Sequence, residues 1–352
     1  MKIAPLYHRL KGEAWAEPII VHTGQHYDFN MSDAFFQNLK LPDPAIHLSV
    51  GSGTHAQQTG NVMIAYEKIL MDGARPDLTV VVGDVNSTAA VTLASVKLGV
   101  KVAHLEAGLR SFDRTMPEEL NRIVTDALAD LLWTPSADAD ANLLREGVSI
   151  EKIERVGNIM IDSLEMMRQA IDRERHYESL GLPPAAYGVV TLHRPSNVDS
   201  PENLQALVNH LVRVAQRLPL VFPLHPRTRK NLAALGLLDG LEKTRAIRLV
   251  EPLSYIPFMS LVFNCRLAIT DSGGVQEETT YLGIPCITLR PNTERPVTIT
   301  EGTNRLSEID EMEEAIDRAL AIRDQTRRAP ALWDGKTADR VTASIERFFA
   351  FL

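Results

Sequence analysis

The feature that most constrains this chain is the alternation of short apolar runs, rich in valine and isoleucine, with longer helical patterns. Such alternation is typical of βαβ units, in which parallel strands are joined by crossover helices. The predicted strands are 18–22, 45–50, 78–82, 102–105 and 131–134 in the first half, and 187–192, 220–224, 247–249, 267–270 and 286–289 in the second. Helices fit between them, such as 57–71 and 117–130. The sequence therefore predicts an α/β protein with two doubly wound parallel sheets.

The length of 352 residues also suits two domains, because a domain commonly takes about 100–200 residues. A charged helical segment leads into Gly-Leu-Pro-Pro at 181–184, whose composition suits a linker. We predict one Rossmann-like domain over 1–165 and a second over 166–335. The last helix, roughly 336–349, has no strand after it and can cap either half. Residues 336–352 can therefore pack back on the first domain.

Charge and cysteine content exclude several classes of protein. Lys and Arg total 37 against 45 for Asp and Glu, a net charge of −8, which argues against a nucleic-acid partner. Cys265 and Cys286 are too few for a disulfide framework or a four-thiolate zinc site. No apolar run approaches the ~20 residues of a membrane span, and the N-terminus lacks the apolar stretch of a signal peptide. We expect a soluble, cytoplasmic protein with no membrane partner and no metal site.

Polar residues follow the predicted strands of the first half, where open parallel sheets bind their ligands. Asp84 follows the third strand, and Glu106 and Arg110 follow the fourth. Glu118 and Glu119 open a predicted helix, where they also suit the positive end of the helix dipole. Glu106, Asp84 and Glu118 are therefore expected to converge on one crevice.

The second half places cationic and dipolar groups at the corresponding strand ends. His193 and His225 each follow a predicted strand and stand beside an arginine. Residues 271–274, Asp-Ser-Gly-Gly, follow another strand and open a helix. The glycines let backbone N–H groups approach a phosphate, and the helix N-terminus contributes about 0.3–1 kcal/mol. Arg295 can line the same crevice. Because this segment is neither a Walker loop nor GxGxxG, nicotinamide and nucleoside-triphosphate chemistry are disfavoured.

Taken together, these segments resemble the non-hydrolysing UDP-N-acetylglucosamine 2-epimerases. The segments that carry the resemblance are TGQHYD (23–28), GDVNST (83–88), HLEAGLRS (104–111), MPEELNR (116–122), TLHRPSN (191–197), HPRTR (225–229), DSGGVQEE (271–278) and TERPVT (293–298). The match runs from residue 1 to about 306. It implies a GT-B fold, in which two Rossmann-like domains hold the nucleotide sugar between them, and a homodimer.

The resemblance also implies roles for individual residues. The family's catalytic residues fall on Asp84, Glu106, Glu118 and His193. Its UDP contacts fall on Lys2, His225, Phe258, Ser272, Gly273, Gly274, Glu278 and Arg295. We add Arg110 to the UDP-binding candidates because it follows the same strand as Glu106.

The chain departs from the family pattern in two places. In the family, a strand and a Gly-Thr-Arg-Pro-Glu loop precede the segment that begins here at Met1. We therefore expect a coding region upstream of Met1, or a neighbouring strand that completes the sheet. A second Gln near Ser32, in a segment that helps some members bind an activating UDP-N-acetylglucosamine, is absent. Residues 30–36, NMSDAFF, also resemble relatives that epimerise UDP-linked diacetamido uronic acids.

Epimerisation at C2 requires removal of a weakly acidic C–H proton, so we expect UDP to leave C1 at the same time. One of the three carboxylates removes the proton to give 2-acetamidoglucal, and another returns it to the opposite face. UDP then re-adds, and no redox cofactor is needed. The alternatives are an epimerase of a UDP-diacetamido uronic acid, a hydrolysing epimerase, a GT-B glycosyltransferase and an inactive nucleotide-sugar binding protein. The trio of carboxylates favours an epimerase over a glycosyltransferase.

Overall fold

A computed structural model of the chain describes residues 1–24, 38–73, 75–321 and 329–350. The chain packs into two compact units. The first unit comprises Met1–Met166 with Ala331–Leu352, and the second comprises Met167–Pro330. Within the described residues, no helix combines the length and the apolar character that crossing a membrane requires.

Strands and helices alternate along both units, which confirms the predicted α/β class. The strands are β1 (Val21–His22), β2 (Ile46–His47), β3 (Leu78–Val82), β4 (Lys101–Leu105), β5 (Leu131–Thr134), β6 (Ile153–Arg155), β7 (Gly188–Thr191), β8 (Leu220–Pro223), β9 (Ile247–Val250), β10 (Leu267–Thr270), β11 (Cys286–Thr288) and β12 (Asn304–Leu306). The α-helices are α1 (Ile3–Lys11), α2 (His55–Met71), α3 (Asn86–Lys97), α4 (Pro117–Leu128), α5 (Ala137–Arg145), α6 (Ile159–Glu174), α7 (His176–Ser179), α8 (Pro195–Val198), α9 (Pro201–Ala215), α10 (Pro226–Ala234), α11 (Leu238–Lys243), α12 (Tyr255–Phe263), α13 (Gly273–Leu282), α14 (Val297–Thr300), α15 (Met312–Ala321) and α16 (Thr337–Ala350).

The described part of the first unit holds two parallel sheets. β1 pairs with β2, and a separate four-stranded sheet has the order β3-β4-β5-β6. Residues of both sheets, such as Val21 and Val81, share one apolar core with residues of α2 and α3. Neighbouring residues of β4 face opposite ways: Val102 joins that core, whereas Ala103 packs in another with residues of α1 and α16. Helices therefore cover both faces of the four-stranded sheet, as is usual for parallel strands.

The C-terminal helix α16 packs in the first unit. Val341 and Ile345 lie in the same apolar cluster as Trp133 of β5. The Trp133 indole N–H donates to the Ser344 hydroxyl at 2.8 Å. Asp162 of α6 accepts a hydrogen bond from the Ala338 N–H at 2.8 Å, which satisfies one of the free donors in the first turn of α16. The helix is thus held by both apolar burial and hydrogen bonds.

The second unit contains a six-stranded parallel sheet of order β12-β11-β10-β7-β8-β9. The chain enters at β7, continues outward to β8 and β9, and then returns to the other side of β7 through β10. This confirms the predicted doubly wound sheet. Because β7 and β10 are neighbours, with Thr191 opposite Thr270, the loops that follow these two strands start side by side. A switch of direction at this point is where such sheets bind ligands.

Several element boundaries differ from the sequence prediction. Ser49 and Gly51 adopt positive φ angles of 51° and 77°, which end the extended backbone after β2 earlier than predicted. Helix α2 starts at His55, two residues earlier than expected, because Thr54 and Gln57 form a capping box at its N-terminus. β6 and β12, of three residues each, were not predicted; their sequences, Ile-Glu-Arg and Asn-Arg-Leu, lack the apolar run on which the prediction relied. Residues 181–184 do not separate the units, because the division falls within α6.

Candidate active site

Asp84 lies directly beyond β3 and is held by two side chains of α4. Its carboxylate forms an ion pair with Arg122, and its backbone carbonyl accepts a hydrogen bond from the Asn121 amide at 2.9 Å. Arg122 is itself buried and binds Glu119 at 2.7 Å. Neither Asn121 nor Arg122 was predicted as a site residue, although both lie in the MPEELNR segment. Their spacing of three and four residues from Glu118 places them on nearby faces of one helix.

Glu106 lies directly beyond β4 and has an unusual backbone conformation. Its φ of +76° is in the left-handed region, which a residue other than glycine adopts only when its surroundings hold it there. The N–H groups of Glu106 and Ala107 both donate to the Trp133 carbonyl, at 3.1 and 3.0 Å. The fold of β5 thus fixes the turn that directs the Glu106 side chain.

The Glu106 carboxylate is buried, with 4% of the residue exposed. One oxygen, Oε2, is paired with the Lys2 ammonium, whereas Oε1 has no hydrogen-bond partner among the described residues. Leaving a buried polar atom unpaired costs about 1–3 kcal/mol, and such atoms need a functional or structural explanation. Glu106 therefore presents an oxygen that a bound molecule can engage. Lys2, a predicted UDP contact, is placed here beside a predicted catalytic residue.

Gly83 brings Asp84 and Glu106 close together. A Cβ atom built on Gly83 would lie 3.2 Å from Lys2 Nζ and 3.6 Å from Glu106 Oε2. The Glu106 carboxylate therefore lies against the backbone that directly precedes Asp84. The structure thus brings the Glu106 carboxylate to the backbone that precedes Asp84, and convergence of the two carboxylates stays a prediction.

The adjacent glutamates of α4 lie in different environments. Glu119 is buried and accepts hydrogen bonds from the backbone N–H groups of Ser111 and Phe112, both at 2.9 Å. Although burial opposes ionisation, these bonds and Arg122 lower the pKa of Glu119. Glu118 is half-buried in the first turn of the same helix. Glu119 therefore holds the loop after β4 in place, and Glu118 remains the third candidate for proton transfer.

Arg110, a predicted UDP contact, is instead committed to contacts inside the first unit. Its guanidinium forms a bidentate pair with Glu146, at 2.8 and 2.7 Å, and its Nη1 donates to Asp126 at 2.7 Å and to the Leu109 carbonyl at 2.8 Å. The side chain is 1% exposed. Because the guanidinium is buried in these pairs, Arg110 stabilises the loop after Glu106, and its contact with UDP stays a prediction.

In the second unit, Asp271 joins the loops that follow β7 and β10. It is fully buried and accepts hydrogen bonds from the backbone N–H groups of His193 and Arg194, at 3.0 and 2.8 Å, and from the Asn197 amide at 3.1 Å. His193 Nδ1 lies 3.1 Å from Asp271 Oδ1. Burial opposes ionisation, but the His193 interaction and these hydrogen bonds lower the pKa of Asp271. Asp271 therefore fixes both the backbone and the ring of His193.

His225 lies next to His193, with ring centroids 5.5 Å apart. Its Nδ1 accepts a hydrogen bond from the Arg227 N–H at 3.2 Å and so caps α10. Partial burial, with His193 and Arg227 nearby, lowers the pKa of His225. A ring that accepts at Nδ1 in this way carries its proton on Nε2, which leaves Nε2–H available as a donor.

The first turn of α13 and Arg295 form a group of anion-binding donors. Ser272 is the N-cap of this helix, and Gly273 and Gly274 are its first residues. The first N–H groups of a helix have no partner within the helix, and they attract anions. A Cβ atom on Gly273 would lie 2.7 Å from Arg295 Nη1, so the guanidinium lies against this turn.

Buried acidic residues orient that guanidinium. Arg295 Nε lies 2.7 Å from Glu277 Oε1, and Nη1 pairs with Glu294. Burial disfavours a charged Glu294, yet Arg295 and Arg290 lower its pKa below the ordinary value. The guanidinium is therefore held beside the helix N-terminus before any ligand binds.

Glu278 and Phe258 lie near the same helix. Glu278 is buried, and the Tyr255 hydroxyl lies 2.7 Å from its Oε1. Burial, with the neighbouring Glu277 carboxylate, raises the pKa of Glu278 to about 8. The side chain is therefore mostly neutral at neutral pH. Phe258 is half-buried and packs against an apolar cluster that includes Val275 in the first turn of α13.

Part of the predicted site lies outside the described residues. These parts are residues 25–28 of the TGQHYD segment, Ser32, and the NMSDAFF segment at 30–36. Thr23, which opens the first of these segments, is described, and its hydroxyl accepts a hydrogen bond from Ser87 at 3.0 Å. In the part of the chain that the structure covers, no group of three or more His, Cys, Asp or Glu side chains is arranged to hold a metal ion.

Comparison with solved structures places the chain in the GT-B class of α/β enzymes. The structure of UDP-GlcNAc 2-epimerase from Methanocaldococcus jannaschii in complex with UDP-GlcNAc and UDP matches with a TM-score of 0.88 and 39% sequence identity. The match covers 98% of this chain and 96% of that chain. The family model for UDP-N-acetylglucosamine 2-epimerase matches residues 8–346. The chain belongs to the UDP-N-acetylglucosamine 2-epimerase family, whose members are isomerases.

Characterised relatives differ in the sugar that they are named for. The UDP-N-acetylglucosamine 2-epimerase of M. jannaschii is 42% identical over 329 residues, which is 92% of this chain and 89% of that protein. The UDP-2,3-diacetamido-2,3-dideoxy-D-glucuronate 2-epimerase of Pseudomonas aeruginosa is also 42% identical, over 292 residues, which is 82% of this chain and 79% of that protein. The family inferred from the sequence segments is confirmed.

Proposed function

We propose that this enzyme interconverts UDP-N-acetylglucosamine and UDP-N-acetylmannosamine by epimerisation at C2, without hydrolysis. The observation that carries the proposal is the position of the Glu106 carboxylate against Gly83, the residue before Asp84, with one Glu106 oxygen buried and without a hydrogen-bond partner in the described residues. Two proton-transfer groups near one carbon are what a C2 epimerisation needs. The M. jannaschii relative, whose structure contains UDP-GlcNAc and UDP, supports this substrate.

The reaction begins when one carboxylate among Asp84, Glu106 and Glu118 removes the C2 proton. The C–H electron pair forms the C1–C2 double bond, and the C1–O bond breaks so that UDP leaves with that electron pair. The product of this step is 2-acetamidoglucal. A second group, in its acid form, returns a proton to the opposite face of C2 as UDP re-adds at C1. The ion pair with Arg122 holds the Asp84 carboxylate in place.

The second unit binds UDP and stabilises its charge as it leaves. The N–H groups of the α13 first turn and the Arg295 guanidinium are preorganised donors for the diphosphate, and His193 adds a further donor. The full set proposed to contact UDP is Lys2, His225, Phe258, Ser272, Gly273, Gly274, Glu278 and Arg295. Lys2, which pairs with Glu106 in the absence of ligand, would exchange that partner for a phosphate oxygen.

The test is to incubate the enzyme with UDP-GlcNAc in deuterated water and follow C2 by NMR. We expect deuterium at C2 in both epimers, because the proton returned comes from solvent-exchanged acid. Replacing Glu106 with Gln keeps the shape but removes the basic oxygen, so exchange should fall by at least about 100-fold. Undiminished exchange in Glu106→Gln would contradict the assignment.

The same experiment separates the alternatives. A hydrolysing epimerase would release free N-acetylmannosamine and UDP, and a glycosyltransferase would leave the C2 proton in place. An inactive binding protein would bind the UDP-sugar in calorimetry without forming an epimer.

The second candidate substrate is UDP-2,3-diacetamido-2,3-dideoxy-D-glucuronate, because the P. aeruginosa relative has the same 42% sequence identity to this chain as the M. jannaschii enzyme. The ratio of kcat/KM for the two sugars decides between them.

We further propose that the enzyme is a cytoplasmic homodimer that supplies precursors for cell-surface polysaccharide. The net charge of −8 and the buried cysteines Cys265 and Cys286 are consistent with a protein of a reducing compartment. Light scattering of the purified protein tests the dimer, and a molar mass near the 39.0 kDa of one chain would contradict it.

A further inference from the structure

The mechanism above does not use His104, which lies among the buried polar groups behind Asp84 and Glu106. It lies on β4 and is fully buried. Its Nε2 is 2.8 Å from the Gly83 carbonyl oxygen, and the next residue, Leu105, accepts a hydrogen bond from the Gly83 N–H at 3.1 Å. Two consecutive residues of β4 therefore bind both backbone polar groups of Gly83. This fixes the residue that directly precedes Asp84.

The other ring nitrogen of His104 connects it to the loop after Glu106. Nδ1 lies 2.6 Å from Asp126 Oδ1. The second Asp126 oxygen accepts hydrogen bonds from the Gly108 N–H at 3.0 Å and from Arg110 at 2.7 Å. Gly108 cannot be replaced by a larger residue, because a Cβ atom there would lie 2.5 Å from the Ala139 carbonyl oxygen. Asp126 thus holds a loop that is already tightly confined.

Both hydrogen-bond partners of the His104 ring are acceptors. Burial disfavours a charged Asp126, but His104 and Arg110 lower its pKa, so Asp126 is an ionised acceptor. The Gly83 carbonyl can also only accept. The His104 ring therefore bridges Asp126 and the backbone that precedes Asp84, with one ring nitrogen on each.

We propose that the His104–Asp126 pair is a positioning device that sets the distance between the Asp84 and Glu106 carboxylates. His104 holds Asp84 through the Gly83 carbonyl, and Asp126 holds the 107–110 loop that follows Glu106. Neither side chain touches the substrate, because both are buried behind the backbone. This inference rests on the proposed function, since the distance matters only if both carboxylates act on one carbon.

Replacing His104 with Gln tests the device, because Gln has similar reach but only one nitrogen, so it cannot contact Asp126 and the Gly83 carbonyl through two separate nitrogens. We expect kcat for C2 epimerisation to fall about 100-fold, the loss that a displacement of about 1 Å produces, with KM for UDP-GlcNAc little changed. His210→Gln is the matched control: His210 also pairs with a carboxylate, Glu313, at 2.7 Å, but lies in the second unit. It should keep the wild-type kcat. A folded His104→Gln enzyme with wild-type kcat, or with a change in KM alone, would overturn the proposal.

A second variant and a spectroscopic measurement cover the case in which His104→Gln does not fold. Asp126→Asn keeps the size of the side chain but removes its charge, so it should show the same fall in kcat at similar KM, and a folded variant with unchanged kcat would overturn the proposal. Nitrogen-15 NMR of histidine-labelled wild-type protein should show both His104 ring nitrogens engaged in hydrogen bonds, and a ring with either nitrogen free of a hydrogen bond would overturn it. If the wild-type enzyme shows no C2 exchange at all, the proposed function has failed instead, and the NMR result still reports on the His104 contacts.

Discussion

At the scale of single residues, the buried acids of this protein divide by their partners. Asp126 and Asp271 each face a histidine and several N–H donors and are ionised. Glu278 faces a tyrosine hydroxyl and another carboxylate, and burial raises its pKa to about 8. A neutral carboxyl can donate as well as accept a hydrogen bond, whereas an ionised one can only accept. Glu278 is therefore suited to bind either a hydrogen-bond donor or a hydrogen-bond acceptor of a ligand.

Glu278 makes stability depend on pH. Its pKa rises from an ordinary 4.5 to about 8 on folding, so its neutral form favours the folded state below about pH 4.5. That contribution is lost as the pH rises towards 8. We expect Glu278→Gln to reduce the fall in unfolding free energy over this range. Urea unfolding of both proteins at several pH values between 4.5 and 8 measures this fall in unfolding free energy. An equal fall in the two proteins would contradict the raised pKa of Glu278.

The sequence predicted most of the residues of the proposed site, but it did not separate neighbours with the same side chain. Glu118 and Glu119 both suit the start of a helix, and only the N–H groups of Ser111 and Phe112 assign a structural role to Glu119. The ion pairs of Arg110 were not predicted for a similar reason. Its carboxylate partner Glu146 is 36 residues further along the chain, and no local pattern reveals such a contact.

At the scale of elements, the site residues lie just beyond the ends of strands. Residues near the start of neighbouring helices hold them in position. The alternation of apolar and helical segments predicts which residues end each strand, because this depends on local patterns. It does not predict which strands are neighbours. His193 and Asp271 are in contact because β7 pairs with β10, which follows it only after two other strands. The link between these loops was therefore visible only in the structure.

The start of α13 gives a test of the anion-binding elements. Gly273→Ala would place a Cβ atom 2.7 Å from Arg295 Nη1 and 3.1 Å from Glu294 Oε1. Because the guanidinium must then move, we expect UDP affinity in calorimetry to fall by at least about tenfold, the worth of one charge-assisted hydrogen bond. Gly240→Ala, where no atom lies within 4 Å, is the matched control and should bind UDP normally. Equal affinities in the two variants would contradict the placement of Arg295.

At the scale of the whole molecule, the same construction occurs in both units. In each, a buried aspartate binds a histidine and holds the loop after a strand through backbone N–H: Asp126 binds His104 and the Gly108 N–H, and Asp271 binds the N–H groups of His193 and Arg194. The sequence predicted two parallel-sheet halves from their patterns. It left open which half α16 covers, because an amphipathic helix without a following strand fits either sheet. Burial of Val341 and Ile345 beside Trp133 decides this point.

The position of α16 predicts how the first unit responds to a cavity. Ile345→Ala removes a buried side chain and should lower the unfolding free energy of that unit by about 2–5 kcal/mol. Phe349→Ala, on the exposed part of the same helix, should have little effect. The three tryptophans, Trp15, Trp133 and Trp333, all belong to the first unit, so tryptophan fluorescence in urea reports on it specifically. An unchanged fluorescence midpoint in Ile345→Ala would contradict this packing.

The left-handed backbone at Glu106, with φ of +76°, has a consequence for how this enzyme can evolve. Glycine is the residue that such a backbone tolerates best, and it would also relieve the buried, unpaired carboxylate oxygen. Glycine has no acid or base to offer, however. Selection for thermal robustness and selection for turnover therefore favour different residues at this position, and a library screened only for heat resistance should drift away from glutamate here.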